Sequence, residues 1–223
     1  MEILMIIVIG GEKGGTGKTT ICTNMAAMLA QNGSDLILID TDKQGSASAW
    51  AAVRDEISSV KRIPCIQKFG STLTAEIKEL STRYQDILID AGGRDSVELR
   101  AAMSVADVIF IPVQASQFDV WTLGLMDELI GQVKAYNPNL RAVALINRAS
   151  TNPSVSETKE TQEIFDDFRN LTLSKSVIRD RITYRKAARR GLAVDEVENL
   201  DQKAIEEIKS LISEVTNYAK AAA

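Results

Sequence analysis

Ile3-Leu4-Met5-Ile6-Ile7-Val8-Ile9 runs without a break into Gly10-Gly11-Glu12-Lys13-Gly14-Gly15-Thr16-Gly17-Lys18-Thr19-Thr20. An apolar run without alternation suits a strand buried on both faces. The glycines that follow let backbone N–H groups turn inward around an anion, and a helix opening at the far end adds the partial positive charge of its N-terminus. The stretch therefore reads as strand, phosphate-binding loop and helix. In that reading Gly14, Gly15, Thr16, Gly17 and Thr20 wrap the phosphates of a nucleotide. Lys18 reaches the β and γ phosphates, and the Thr19 hydroxyl ligates Mg²⁺. The spacing G-x-x-x-x-G-K-[ST] fails by one residue, because Glu12 stands where the first glycine belongs. In its place is Lys-Gly-Gly-Thr-Gly-Lys-Thr, with a second lysine, Lys13, five positions before Lys18.

Working outward, Leu36–Ile39, Ile87–Ile89, Val108–Val113 and Ala142–Ile146 are further apolar runs without alternation. Between them lie helical patterns. Ile21, Met25, Met28 and Leu29 share one helix face, Trp121, Leu125, Leu129 and Val133 recur every four residues, and Ile205, Ile208, Leu211, Ile212 and Val215 mark a closing amphipathic helix from Asp201 onward. Strands alternating with helices predict a single-domain α/β fold, a mostly parallel twisted β-sheet with helices on both faces, spanning residues 1–223. Thr151–Ser156, with its Asn152-Pro153 step, reads as a loop.

Composition narrows the chemistry. The chain has 223 residues, 45% of them hydrophobic and 25% charged, with a net charge of −4. That is ordinary composition for a globular domain and excludes a globally basic nucleic-acid binder, though not a local basic patch. There is no histidine, so acid–base steps fall to carboxylates, lysine or water. Two cysteines without Cys-x-x-Cys spacing, Cys22 and Cys65, give neither a disulfide framework nor a zinc site and suit a reducing cytoplasm. The Ile3–Ile9 run is too short to span a bilayer and lacks the flanks of a signal peptide.

Two strands end in acid. Leu36–Ile39 leads into Asp40-Thr41-Asp42-Lys43-Gln44-Gly45, and Ile87–Ile89 leads into Asp90-Ala91-Gly92-Gly93-Arg94. Carboxylates at the C-terminal ends of sheet strands sit where open α/β folds bind ligands. Asp90 is suited to hold Mg²⁺ through water, as the acid beside the metal does in phosphate-loop enzymes. Asp42 also fits a plain turn residue ahead of Gly45.

The sequence resembles the ParA/MinD group of P-loop ATPases, whose deviant Walker A motif reads K-G-G-x-G-K-[ST]. The resemblance runs from about Ile3 to Asn147. It implies ATP and Mg²⁺ as ligands, ATP hydrolysis, and an ATP-bound homodimer in which Lys13 crosses to the partner's phosphates, against the plainer possibility of a solvated loop lysine. It further implies that Asp42 positions or activates the attacking water, with Asp40 supporting the metal, and that Asn147 hydrogen-bonds adenine. Asp40–Gly45 looks like the family's D-x-D-P-Q-G segment, with Lys43 in place of proline, and Ile111–Asp119 like its V-P-x-x-x-x-x-x-D segment. Where the family often continues D-x-P-P after the Walker B acid, Gly92 and Gly93 suggest a flexible switch.

Arg179, Arg181, Arg185, Lys186, Arg189 and Arg190, with only Asp180 among them, make Arg179–Arg190 locally +5 and leave −9 for the rest of the chain. On one helix Arg181, Arg185 and Arg189 would form a stripe suited to DNA phosphates without base readout. The alternative is a solvated face paired with Asp195, Glu196 and Glu198. ParA-like proteins bind DNA non-specifically as ATP-bound dimers, so the resemblance implies segregation of plasmid or chromosomal DNA with a small centromere-binding, ParB-like adaptor. With no helix-turn-helix segment before Ile3, the chain looks like the short plasmid type, in the cytoplasm at the nucleoid. A MinD-like membrane-cycling ATPase is disfavoured by a tail ending in alanines, so no membrane partner is expected. A protein-cargo-positioning ATPase shares the same core and stays open.

Overall fold

The computed structural model describes residues 5–93, 95–114, 120–152, 165 and 167–222. In chain order these form β1 (Met5–Gly11), α1 (Lys18–Gln31), β2 (Leu36–Asp40), α2 (Ser46–Asp55), β3 (Cys65–Gln67), α3 (Leu73–Leu80), β4 (Asp86–Gly93), α4 (Val97–Met103), β5 (Val108–Gln114), α5 (Val120–Lys134), β6 (Arg141–Ala149), β7 (Leu171–Arg179), α6 (Ile182–Ala188) and α7 (Gln202–Ala222). The strands make one seven-stranded sheet in the order β3-β2-β4-β1-β5-β6-β7. Every pairing in it is parallel.

Strand periodicity explains why the apolar runs do not alternate. Ile7, Ile9, Leu38, Leu88 and Phe110 point into one core with α1, α2, α6 and α7. Ile6, Val8, Ile39, Ile89 and Ile109 point into a second core with α3, α4 and α5. Both faces are covered, so every position of a central strand must be apolar. In α7, Ile205, Ile208, Leu211 and Val215 are buried as the sequence pattern predicts, each contributing roughly 1.5–3 kcal/mol of burial.

Three expectations change. The edge strands β3 and β7 carry no unbroken apolar run, because an edge strand is not enclosed as the centre is. β7 has polar Ser174 and Ser176 buried, satisfied by Glu214 of α7, which accepts bonds from both hydroxyls at 2.8 Å and from the Lys175 and Ser176 N–H groups. On α5 the four-residue stripe packs only in part: Leu129 and Val133 are buried beside Leu123, Met126 and Ile130, but Trp121 is 77% and Leu125 43% exposed. A helical repeat of 3.6 residues drifts off a strict period of four, and the tertiary contacts choose the 123/126/130/133 face. Gly92 and Gly93 belong to β4, with Gly93 in register with Gly11 of β1. A Cβ on Gly93 would lie 3.1 Å from the Gly14 nitrogen, so close backbone approach, not flexibility, requires glycine there. Arg94, residues 115–119 of the Ile111–Asp119 segment, and residues 153–156 of the Thr151–Ser156 loop lie outside the described residues.

Candidate active site

β1, β2 and β4 end side by side, and the helices that follow β1 and β4 leave for opposite faces of the sheet: α1 joins one core and α4 the other. That divergence opens the crevice in which doubly wound folds place ligands. A cleft of about 680 Å³ occupies it, lined by Gly14, Gly15, Gly17, Lys18, Thr19, Thr20, Asp42, Gly93 and Arg148 among others. The volume suits a nucleotide-sized ligand.

The loop is held open by its own side chains. Gly17 takes φ 93 and leads into α1 at Lys18. A Cβ on Gly17 would lie 2.3 Å from Asn147 Nδ2, so only glycine lets the loop rest on that amide. Asn147 Nδ2 in turn donates to the Thr16 carbonyl at 2.5 Å. Asn147 therefore straps the phosphate loop to the end of β6, and its Oδ1 accepts from no described residue. Lys18 is 7% exposed and its Nζ donates to the Lys13 carbonyl at 2.8 Å. Burial pulls its pKa down, while the Asp90 and Asp42 carboxylates pull it back up. Lys13, by contrast, points into solvent, and its side chain meets no partner among the described residues.

The carboxylates divide into different tasks. Asp40 is fully buried, with Oδ1 accepting from the Asp42 N–H at 3.1 Å and Oδ2 from the Ser48 N–H at 2.9 Å. It fixes the β2–α2 turn and caps α2, which Gly45 enters without a side-chain cap. Asp42 is half-buried on the cleft wall, with Oδ1 accepting from the Gln44 N–H at 2.9 Å and its carboxylate against Gly92. Asp90 accepts the Thr19 hydroxyl on Oδ2 at 2.6 Å, while its buried Oδ1 has no hydrogen-bond partner among the described residues. Burial, and then the neighbouring Asp40 and Asp42, push its carboxyl up to about 7 against the Thr19 bond and the Lys18 charge. An orphaned, buried carboxylate oxygen beside a threonine hydroxyl is a donor set that fits Mg²⁺, a hard cation taking oxygen ligands.

The basic segment is not one stripe. α6 begins only at Ile182, so Arg181 sits at its N-cap, 13% exposed at the side chain, and binds Glu207 at 2.8 Å with Asp201 at 3.8 Å. Arg179 donates to the Ser150 carbonyl at 2.5 Å. Both are tied into the β7–α7 junction. Arg185, Lys186, Arg189 and Arg190 are exposed, with Arg185 paired to Asp180 at 2.8 Å and Arg190 to Glu198 at 3.6 Å. Sequence reasoning also missed Ser46, Trp50, Val53 and Ala188 on the far wall of the cleft. No local motif marks them, since α2 and α6 bring them there only through packing.

Fold and loop together define a doubly wound, phosphate-loop nucleotide-binding domain. Residues 7–194 match the CobQ/CobB/MinD/ParA nucleotide binding domain, and the chain belongs to that family. Its two-lysine loop is of the ParA-type deviant Walker A kind. The chain is 27% identical over 210 residues to Maintenance of carboxysome distribution protein A of Halothiobacillus neapolitanus, covering 94% of this chain and 95% of that one. It is 27% identical over 169 residues to the chromosome-partitioning ATPase Soj of Thermus thermophilus, covering 63% and 67%. The septum site-determining protein MinD of Pyrococcus horikoshii, solved with Mg-ADP, shares the fold at a TM-score of 0.69 and 20% identity over 99% of both chains. Among the described residues no helix is long and apolar enough to cross a membrane.

Proposed function

We propose that the protein is a Mg²⁺-dependent ATPase that closes into a nucleotide-sandwich dimer and positions a cargo over DNA. The observation that carries this reading is the contrast between two lysines of one loop: Lys18 buried on the cleft floor, Lys13 projecting from the rim. A cation outside its own site is the arrangement needed to reach a partner's phosphates, the logic of a charge supplied in trans to a transferring phosphoryl group.

In this reading the N–H groups of Gly14–Thr20 and the Lys18 ammonium bind the phosphates, and Asn147 Oδ1 accepts from the exocyclic amine of adenine. Asp42 orients the attacking water, held by its bond from the Gln44 N–H. Thr19 and Asp90 hold Mg²⁺, which when bound offsets charge on the β and γ phosphates. Asp40 acts one step back, by fixing Asp42. Lys13 of the second copy completes each site, so hydrolysis is linked to dimerisation. Exposed Arg185, Lys186, Arg189 and Arg190 form the DNA-facing cluster, doubled in the dimer.

Segregation of plasmid or chromosomal DNA with a ParB-like adaptor is the first reading of the cargo. Positioning of a protein assembly is the second, favoured by the similarity over nearly the whole chain to a carboxysome distribution protein. The test is binding to random duplex DNA against salt, with ATP, ADP and no nucleotide, beside anionic liposomes. ATP-specific, salt-sensitive DNA binding is expected. ATP-specific liposome binding instead would replace the DNA reading with a membrane-cycling one.

A further inference from the structure

β5 and β6 end side by side, with Gln114 and Asn147 in register. Neighbours in register on parallel strands present their side chains to the same side of the sheet. Here both amides reach the phosphate loop: Gln114 Nε2 donates to the Gly15 carbonyl at 3.3 Å, and Asn147 Nδ2 to the Thr16 carbonyl. Two successive carbonyls of the loop are held by two adjacent strands, across 99 and 131 positions of the chain.

Packing does little to hold the loop at this point. Gly15 takes φ 75, and apart from chain neighbours no described atom lies within 4 Å of where a Cβ on Gly14 or Gly15 would stand. Hydrogen bonds fix the turn instead. A trans peptide is planar, with its C=O and N–H pointing opposite ways. Drawing the Gly15 carbonyl toward β5 turns the Thr16 N–H away from that strand, and drawing the Thr16 carbonyl toward β6 does the same for the Gly17 N–H. Among the described residues nothing accepts from either N–H. Gln114 does not line the cleft. With Lys13 and Thr16 it borders a shallow depression behind the loop, while Gly14, Gly15 and Gly17 line the cleft itself. The carbonyls are pulled from behind, so the free N–H groups face the cleft.

We propose that Gln114 is a positioning residue of the phosphate site, holding the Gly15–Thr16 peptide so that its N–H meets an oxygen of the bound phosphate chain. The inference rests on the nucleotide-site reading above and adds to it a residue that touches no phosphate. Donors aimed before the anion arrives cost no reorganisation when it binds. The Gln114 bond is longer than the common N–H···O distance of about 2.9–3.0 Å. Its loss should therefore cost a modest about threefold to tenfold in affinity.

Calorimetric titration of ATP and of inorganic tripolyphosphate into the wild type, Gln114→Met and Gln114→Glu tests this, with thermal melts and amide NMR spectra of each. Gln114→Met keeps the length and neutrality but cannot donate. It is expected to lose about threefold to tenfold for both ligands and to melt within about 2 °C of the wild type. Gln114→Glu keeps the shape, sets a carboxylate oxygen against the Gly15 carbonyl, and is expected to lose more for both. Saturating tripolyphosphate is expected to move the Thr16 N–H resonance downfield in the wild type and much less in Gln114→Met. Unchanged affinities, or a Thr16 shift equal to that of the wild type, would overturn the proposal. A loss for ATP with tripolyphosphate spared would place Gln114 on the nucleoside, and a larger fall in melting temperature would make it a packing residue; either overturns it too. A wild type that binds neither ligand would sink the nucleotide-site reading itself, a separate outcome.

Discussion

The Thr19 hydroxyl and the Asp90 carboxylate meet across the floor of the cleft at 2.6 Å, joining the first turn of α1 to the end of β4. The bond occupies Oδ2 and leaves Oδ1 buried and without a partner among the described residues. Such a group is costly unless something else satisfies it. Asp90→Asn replaces the charge but keeps the shape. It should abolish the Mg²⁺-dependent gain in nucleotide affinity while sparing binding measured in EDTA. Equal affinity gains from Mg²⁺ in variant and wild type would remove Asp90 from the metal site.

Lys13 and Asp42 separate dimerisation from chemistry. Lys13→Gln should leave nucleotide binding by the monomer intact and eliminate ATP-dependent dimers in sedimentation or light scattering. Asp42→Ala should bind ATP and remain dimeric while hydrolysis falls by roughly 10²–10⁴-fold, the usual range for losing a positioned base. Loss of ATP binding by Asp42→Ala would show that it shapes the β2–α2 turn instead.

The arginines of the basic segment should fall into two classes. Replacing Arg185, Lys186, Arg189 and Arg190 together by glutamine should weaken DNA binding and flatten its salt slope with little change in melting temperature. Arg181→Gln should do the reverse, lowering the melting temperature because Glu207 and the Tyr184 hydroxyl bonded to it lose their cation. A quadruple variant that keeps the wild-type slope would exclude this cluster as the DNA face.

Arg54 and Glu196 form a buried pair, bidentate at 2.7 Å, with side chains 0% and 8% exposed. The guanidinium also donates to the Gly191 and Lys61 carbonyls and lies over the Trp50 ring, tying α2 to the turn after α6. Glu196→Gln leaves a buried charge uncompensated and should cost about 3–5 kcal/mol in chemical denaturation. Burial pushes the Glu196 carboxyl up, but the Arg54 guanidinium and the Ala193 N–H outweigh it and hold the pKa below 4.5. A depressed carboxyl stabilises the fold above its unfolded pKa and loses that contribution as pH falls through the folded value. The wild type should therefore lose more melting temperature than Glu196→Gln between pH 6 and pH 3, as judged by circular dichroism; parallel losses would remove Glu196 as the cause.

How far the sequence could be read follows from how each signal arises. Central strands enclosed on both faces must be apolar throughout, so β1, β2, β4, β5 and β6 were legible. Edge strands obey no such rule, which hid β3 and β7. On α5 apolar residues occur on more than one face, and nothing local says which one packs.

By itself the sequence determined the parallel α/β fold and the phosphate loop, because local backbone demands fix Gly17, Lys18 and Thr19 at their spacing. It also placed Asp40, Asp42 and Asp90 at strand ends. Only the tertiary structure assigned Asp40 to the α2 cap and set Asp90 against Thr19. It alone drew Arg181 into an ion pair and set the exposed Arg148 on the rim of the cleft. Those outcomes depend on contacts between residues far apart in the chain, with Thr19 and Asp90 separated by 71 positions. No local propensity carries such information; packing against the sheet supplies it.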